Sequence, residues 1–355
     1  MTLALLREER ESIRDAVLRA VKDARVTNVR GFVARPSKIS LAELFEEKTG
    51  PSIVGWAIPE LFHAMQGVTW GGKGCEHIYR IDAREASSYE DQMVRKCVGG
   101  ADISAYQVNW SDSYLIFPYI ERNNQWIKAF SSPQLGGDDA LDFSKTIKGT
   151  SERYEMKLLD RLNVRIAKGV VKYPRTAKHL IQFYDQLAER EFEGKRLAQY
   201  NKSWYEYHRP RRPALLHKPR ILCKRMMKSP AFALDNQGFL PTDSAVALVP
   251  KSNFVELKKA LSSVIERSLS NEDCLEYVLA FLNSDIFKSL LEKRRAKKRG
   301  GYPIVDEKLL GAFVVPRPSS RHARDVKTIL AGNASAAILR GICSPVSKTT
   351  KLTHY

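Results

Sequence analysis

The chain has 355 residues, 43% of them hydrophobic and 28% charged, which is enough for one large core or two modest ones. No apolar run reaches membrane-spanning length, and charged residues follow the first hydrophobic ones too soon for a signal peptide, so we expect a cytoplasmic protein with no membrane partner. The five cysteines are odd in number and widely scattered, which argues against a disulfide framework and a zinc site and predicts reduced, structural thiols.

The net charge is +18, and the excess lies in one part of the chain. Residues 1–150 carry 19 basic and 20 acidic side chains, whereas residues 151–355 carry 39 and 20. A surface this basic attracts polyanions, so nucleic acid is the first candidate partner and an anionic membrane the second. No basic amphipathic helix with a strongly apolar opposite face stands out, which weakens the membrane option; a basic protein without a polyanion partner is the remaining alternative.

In the first half, residues 3–25 place Leu6, Ile13, Val17 and Val21 at helical spacing among charged residues, which predicts an amphipathic helix. Its apolar stripe packs either on its own domain or on a partner subunit. Between residues 54 and 119, strand-like runs such as HIYRID and DSYLIFPY alternate with glycine-bearing turns and predict a mixed sheet. The polar residues 131–152 predict a long loop or linker.

In the second half, the apolar spacing predicts helices over residues 177–192, 254–269 and 274–298, the last ending at Gly300. PRILCKRM and SAVALVP predict strands.

The stretch NKSWYEYHRPRRPALLHKPRIL, residues 201–222, combines aromatic and basic side chains on a backbone stiffened by prolines. Arginine binds phosphate or reads guanine, and an exposed aromatic ring stacks on an unstacked base. The alternative is a rigid, solvated connection with Trp204 in the core. The candidate DNA-binding residues here and just beyond are Trp204, Tyr205, His208, Arg209, Arg211, Arg212, Lys218, Arg220, Lys224 and Arg225.

A second basic cluster, KRRAKKRGGYP, begins at residue 293, at the end of the last predicted helix. Cations at a helix C-terminus offset the macrodipole, which explains one or two of them but not six in seven residues. Their mutual repulsion favours contact with phosphate over a solvated face. The candidates are Lys293, Arg294, Arg295, Lys297, Lys298 and Arg299, with Gly300, Gly301 and Tyr302 in the following turn.

Catalytic motifs are largely missing from the sequence. GGKG at residues 71–74 lacks the spacing of a phosphate-binding loop, and neither His-Glu-x-x-His nor paired Cys-x-x-Cys occurs, so we expect no metal and no cofactor. The acid-and-lysine pattern of metal-dependent nucleases can be assembled three ways, as chance supplies in so charged a chain. The three sets are Asp243, Glu256 and Lys258; Asp185, Glu193 and Lys195; and Asp142, Glu155 and Lys157.

Order and spacing of several motifs in residues 173–318 resemble a known family. They are YPRTAKHLIQFYDQLAEREF, SWYEYHRPR, KPRILCKRM, FALDNQGFLPTDS, YVLAFLNSDIF and RGGYPI followed by FVVPRP; weaker echoes are GVTWGGKGCEHIYRID, VRKCVGGADISAYQV and SYLIFPY. The pattern resembles the TaqI-like C-terminal specificity domain, the target recognition domain of bacterial adenine-specific DNA methyltransferases and bifunctional restriction-modification enzymes.

The resemblance implies an α+β fold, with mixed sheets and packed helices preceded by an N-terminal helix, that docks into the major groove. It implies DNA contacts around residues 204–209, 218–225 and 300–302. It also matches Asp235 and Asp243 to family acids, for which turn capping is favoured over accepting from cytosine. The expected organisation is a partner-contact segment (1–53), a first part of the specificity domain (54–130), an insertion (131–172), the specificity core (173–318) and a tail (319–355).

The sequence departs from the usual family member, which also carries a methyltransferase domain with an Asn-Pro-Pro-aromatic tetrad, because no Asn-Pro-Pro occurs here. We therefore expect no methyl transfer by this chain alone. The favoured hypothesis is a double-stranded DNA recognition subunit that directs a separate methyltransferase or nuclease in restriction-modification or phage defence. The alternatives are an endonuclease subunit that cleaves DNA itself and a non-specific nucleic-acid binder.

Overall fold

A computed structural model describes residues 55–71, 74–130, 171–196, 202–293 and 302–332, together with isolated positions between residues 160 and 169, at 200 and at 338, 339 and 342. The predicted helix at residues 3–25 and the predicted loop at 131–152 lie outside this part of the chain. Its strands are β1 (Gly55–Ala57), β2 (Phe62–Gln66), β3 (Arg80–Asp82), β4 (Val94–Val98), β5 (Ile103–Ser104), β6 (Gln107–Val108), β7 (Ser113–Ile116), β8 (Tyr119–Arg122), β9 (Gln125–Lys128), β10 (Glu191–Phe192), β11 (Lys195–Arg196), β12 (Arg220–Lys224), β13 (Phe232–Asp235), β14 (Leu240–Pro241), β15 (Ala245–Pro250) and β16 (Val314–Pro316).

Runs of strands are separated by short helices and the longest helices follow β15, which is the α+β class that the sequence predicts. They are α1 (Ile58–Leu61), α2 (Glu76–Tyr79), α3 (Ala83–Ala86), α4 (Pro174–Gln182), α5 (Tyr184–Ala188), α6 (Phe254–Ile265), α7 (Asn271–Leu282), α8 (Asp285–Lys293), α9 (Glu307–Leu310) and α10 (Ala323–Leu330). None of the helices in the described ranges combines the length and apolar character needed to span a bilayer.

A four-stranded antiparallel sheet in the order β13-β12-β15-β2 lies at the centre of the molecule. β15 is apolar at every position and β12 is apolar at its three central positions, because both faces of the sheet are covered there. Ile221 and Cys223 of β12 face one hydrophobic core together with α6, α7, α8 and α10. Leu222 between them faces the other core, which is formed by α4, α5 and the mixed sheet β14-β4-β7-β3.

Two predicted helices are interrupted in the structure. The helix expected over residues 177–192 is divided into α4 and α5 at Phe183, and its last two residues form β10 instead. The helix expected from residue 274 starts at Asn271, because Ser270 and Asp273 form a capping box. It ends at Leu282, since the Asn283 side chain hydrogen-bonds to both the N–H and the C=O of Phe232 on β13.

The other predictions for this half hold closely. PRILCKRM contains β12, SAVALVP contains β15, and the helix expected over residues 254–269 is α6, which ends where Glu266 adopts a left-handed conformation. Among the described residues, Cys75, Cys97, Cys223 and Cys274 are buried, reduced thiols, as the cysteine pattern predicts.

Candidate nucleic-acid interface

The aromatic residues of the 201–222 stretch lie in the protein core. Trp204 is 4% exposed and Tyr205 is fully buried. Trp204 packs edge-on against Tyr184 of α5, and Tyr205 against Phe130. The prediction that these two rings contact DNA is therefore corrected, because neither ring reaches the surface in this fold.

A buried arginine fixes the backbone of this aromatic segment. The guanidinium of Arg190, which follows α5, donates hydrogen bonds to the carbonyl oxygens of Leu187, Trp70, Trp204 and Glu206 at 2.7–3.0 Å. Four carbonyl acceptors offset much of the cost of burying this charge. Arg190 thus connects residues 204–206 to α5 and sets the direction in which the next residues, 208–213, leave the core.

Residues 208–213 leave that core and carry the first exposed cations. Arg209 pairs with Thr69 through two backbone hydrogen bonds of 2.9 and 3.1 Å, and its side chain is exposed. Its guanidinium lies 3.3 Å from the carboxylate of Glu193, in the turn between β10 and β11. His208 stacks on Phe192 with ring centroids 3.7 Å apart, and burial and Arg209 lower its pKa, so its imidazole is neutral at pH 7.

Arg211 occupies a left-handed backbone conformation, with φ of 63°, that L side chains rarely adopt. Its guanidinium donates hydrogen bonds of 3.1 Å to the carbonyl oxygen of Gly67 and to the side-chain oxygen of Gln66. Burial and the charges of Arg209 and Arg225 lower the pKa of Arg211. The guanidinium of Arg211 is therefore close enough to those of Arg209 and Arg225 to be repelled by both, and an anion bound against it would offset that repulsion.

The turn Pro241–Ser244 lies beside these arginines and is tightly held. Val68 N–H donates to the carbonyl oxygen of Pro241 at 2.8 Å, and Gln66 donates its side-chain amide to that of Asp243 at 3.0 Å. A Cβ at Gly67 would lie 2.1 Å from the Thr242 carbonyl oxygen, so only glycine permits this approach. Asp243 is exposed on the turn, next to the basic groups.

Strand β12 carries one buried and two partly exposed basic residues. Arg220 is 0% exposed, and its guanidinium donates to the Asp235 carboxylate of β13 at 2.6 and 2.9 Å and to the carbonyl oxygen of Phe239. The other carboxylate oxygen of Asp235 accepts the N–H groups of Gln237 and Gly238, which confirms its predicted turn-capping role. The prediction of DNA contact by Arg220 is corrected, because its charge is used inside the core. Lys224 and Arg225 lie at the other end of the strand, half-buried.

Together, Arg209, Arg211, Lys224 and Arg225 and the Pro241–Ser244 turn form a surface that we call the basic surface. Arg225 belongs to it because its N–H donates to the carbonyl oxygen of Ser244 at 2.9 Å. Arg212 and Lys218 are exposed. The pKa of His63 is lowered mainly by burial, next by the charge of Lys251 and then by that of Arg212, so Arg212 lies near His63. Sequence reasoning missed Gln66, whose signal is weak because a lone glutamine in a strand suggests no role.

Most of the second predicted cluster is outside the described residues. Lys293 ends α8 without a described side chain, and the positions beyond it are not described: Arg294, Arg295, Lys297, Lys298, Arg299, Gly300 and Gly301. Tyr302 is described, 37% exposed, with the ammonium of Lys228 4.8 Å from its ring centroid. The amino group of Lys228 is thus placed for a cation-π contact at the edge of the basic surface.

The nuclease-like sets are not assembled as metal sites in the described part of the chain, where no cluster of three or more His, Cys, Asp or Glu residues could hold a metal ion. Glu256 pairs with Lys259 and Lys258 bonds to Asn271, while Glu193 pairs with Arg209. Asp142, Glu155 and Lys157 lie outside that part.

Comparison with known families and proteins gives one match. A family model described as the TaqI-like C-terminal specificity domain matches residues 95–313, more than half of the chain. The match spans β4 to the residue before β16 and includes every member of the basic surface. No curated protein matches the chain.

Proposed function

Because the chain belongs to the TaqI-like C-terminal specificity domain family, we propose that it is the cytoplasmic DNA-recognition subunit of a restriction-modification or phage-defence system. A separate adenine methyltransferase or nuclease subunit supplies the chemistry. Membership of this family supports a role in DNA sequence recognition within restriction-modification systems. The observation that carries the proposal for this chain is the placement of three arginines around one turn: Arg211 is bonded to Gly67 and Gln66, Gln66 to Asp243, Arg225 to Ser244, and Arg209 to Thr69.

In this mechanism the arginines of the basic surface bind phosphates and set the register of the domain on the duplex. The buried Arg190 and the Arg220–Asp235 pair hold the segments that present them. Polar side chains that reach the base edges in the major groove then discriminate between sequences. A domain that holds the duplex in this way also steadies it while the partner subunit extrudes the target adenine.

Two further parts of the proposal concern residues that the structure does not describe. The cations of residues 293–299 come before Gly300, Gly301 and Tyr302 in the sequence and add further phosphate contacts. The amphipathic helix predicted over residues 3–25 binds the catalytic partner through its apolar stripe.

The proposal is tested first by selecting bound duplexes from a random DNA pool with the purified chain near physiological salt. We expect enrichment of a defined motif that contains an adenine. Salt-sensitive binding without enrichment would support a non-specific binder instead. Magnesium-dependent cleavage by the purified chain that Asp243→Ala abolishes would support the endonuclease alternative.

The contribution of the basic surface is tested by the salt dependence of binding to the selected duplex. Removing one arginine that neutralises a phosphate reduces the slope of log K against log salt by roughly 0.9. The triple variant Arg209→Gln, Arg211→Gln and Arg225→Gln should therefore have a slope lower by about 2–3. The matched control replaces Arg84, Arg267 and Arg324, three exposed arginines elsewhere, and changes the net charge equally. Equal slopes for the two variants would exclude the basic surface from the interface.

A further inference from the structure

A short two-stranded ribbon extends from the basic surface. Its one antiparallel bridge places Met226 opposite Ile304, and the N–H of Met227 donates to the carbonyl oxygen of Pro303 at 3.3 Å. The N–H of Val305 donates to the carbonyl oxygen of Arg225 at 2.7 Å. The ribbon therefore begins at a residue of the basic surface.

The two faces of the ribbon differ in burial. Met227, Pro303 and Val305 are buried and face the core. Met226 lies opposite Ile304 in the bridge, and beyond it the exposed Lys228 and Tyr302 meet through their cation-π contact. Met226 is 55% exposed and Tyr302 37%, and they are two of only five large hydrophobic residues exposed in the described part of the chain.

An apolar outer face beside basic residues indicates a ligand that has an apolar group as well as negative charge. Single exposed hydrophobic residues are ordinary on a protein surface. Here two exposed hydrophobic side chains, Met226 and Tyr302, lie together beside Lys228 and Arg225. A surface that binds only phosphates would carry further cations at these positions rather than apolar groups. The major groove is wide enough for a two-stranded ribbon, and among base edges in that groove the apolar group is the C5-methyl of thymine. The basic sequence just before Tyr302 favours duplex DNA over a protein as the occupant.

We propose that the ribbon enters the major groove and that Met226 and Tyr302 pack against the C5-methyl group of a thymine, which makes them specificity-determining residues. This inference rests on the proposed function and adds to it the base feature that the domain reads. Lys228 lies over one face of the Tyr302 ring and contacts a neighbouring phosphate or guanine.

The test removes single methyl groups from the DNA. Each thymine of the selected duplex is replaced in turn by deoxyuridine, and binding is measured for the wild type, Met226→Ala and Tyr302→Ala. Burying one methyl group corresponds to about a fourfold change in affinity. We expect one thymine at which the wild type loses about that factor and at which Met226→Ala and Tyr302→Ala, each already weakened on the intact duplex, lose clearly less.

Val255→Ala is the matched control, because Val255 is 50% exposed on α6, away from the ribbon. It should keep the deoxyuridine profile of the wild type. If Met226→Ala and Tyr302→Ala have the same deoxyuridine profile as the wild type, the inference is overturned. This is the result expected if the ribbon binds a protein partner instead of DNA. A motif whose thymines all tolerate methyl removal overturns this inference alone, whereas no enriched motif at all removes the proposed function and the inference with it.

Discussion

The charge pair Arg220 and Asp235 lies wholly inside the protein, where each side chain depends on the other. Both side chains are fully buried, with the nearest atoms 2.6 Å apart. Asp235→Asn keeps the oxygen that caps the turn but places an amide or a neutral oxygen against the guanidinium. We expect this variant to lower the free energy of unfolding by about 3–5 kcal/mol, measured by urea denaturation, because it leaves a buried charge uncompensated.

Arg212→Met is the control for that measurement, since Arg212 is exposed and its loss should change stability by less than about 0.5 kcal/mol. The double variant Arg220→Met and Asp235→Asn should lose less unfolding free energy than the two single variants together, because neither charge is then buried without its partner. An Asp235→Asn variant as stable as the control would mean that the pair is not buried in solution.

Glu193 is an acid in contact with the basic surface, since its carboxylate lies 3.3 Å from the guanidinium of Arg209. Its carboxylate partly neutralises Arg209 and repels an approaching phosphate. Glu193→Gln should therefore strengthen duplex binding about threefold at low salt, with the gain disappearing as screening increases.

Glu256→Gln removes a carboxylate of the same kind, paired with Lys259 on α6, and provides the comparison. It should leave affinity almost unchanged. An equal gain from both substitutions would indicate a general effect of net charge rather than a local effect at Arg209.

Individual side chains show why sequence reasoning locates this surface only in part. The run from Trp204 to Arg225 stands out in the sequence as a basic and aromatic segment, because its composition and motif are local. Burial of Arg220 is not predictable from that run, since its partner Asp235 lies on the adjacent strand and only the register of β12 and β13 brings them together. For the same reason, composition does not distinguish the buried Trp204 from an exposed stacking ring.

At the scale of elements, the Pro241–Ser244 turn is fixed against the sheet by the absence of a side chain at Gly67. An added Cβ there would meet two backbone carbonyl oxygens at 2.1 and 2.2 Å, which cannot rotate away. Gly67→Ala should displace the turn, lower stability by about 1–3 kcal/mol and weaken binding to the selected site more than binding to random DNA. Urea denaturation and paired binding measurements test these effects.

Gly99→Ala is the matched control on the other side of the same turn. Its Cβ would lie 3.1 Å from the hydroxyl of Ser244 and 3.3 Å from that of Thr242, both of which are side-chain groups that can move. We expect a smaller loss than for Gly67→Ala. Equal losses would mean that the close approach of the backbone does not determine where the turn lies.

The bounds of helices and strands are predicted well where they depend on a local sequence pattern, and poorly where they depend on contacts with a strand distant in sequence. Short apolar runs predict β12 and β15. The Ser270–Asp273 capping pattern indicates where α7 begins, whereas apolar spacing alone predicts a start three residues later. The end of α7 was not available, because Asn283 forms its two hydrogen bonds with β13, some fifty residues earlier.

At the scale of the whole molecule, the two hydrophobic cores share one sheet and should unfold together. Residues of β12 and β15 alternate between the cores, so loss of either core exposes one face of the strands that complete the other. Cys97 lies in the first core and Cys274 in the second, and burial raises the pKa of each thiol to about 12. Native thiols are therefore protonated and enclosed at pH 8 and should react with alkylating reagents only after unfolding.

This cooperativity is measured by pulse alkylation of the wild-type chain across a urea series, with each cysteine quantified by mass spectrometry. We expect Cys97 and Cys274 to become reactive at the same urea concentration, although a chain of this length often unfolds in stages. Labelling in full denaturant gives the reference extent for each thiol. Earlier labelling of Cys97 would show that the core beneath the basic surface opens by itself, which would make DNA binding dependent on a local folding equilibrium rather than on a single rigid domain.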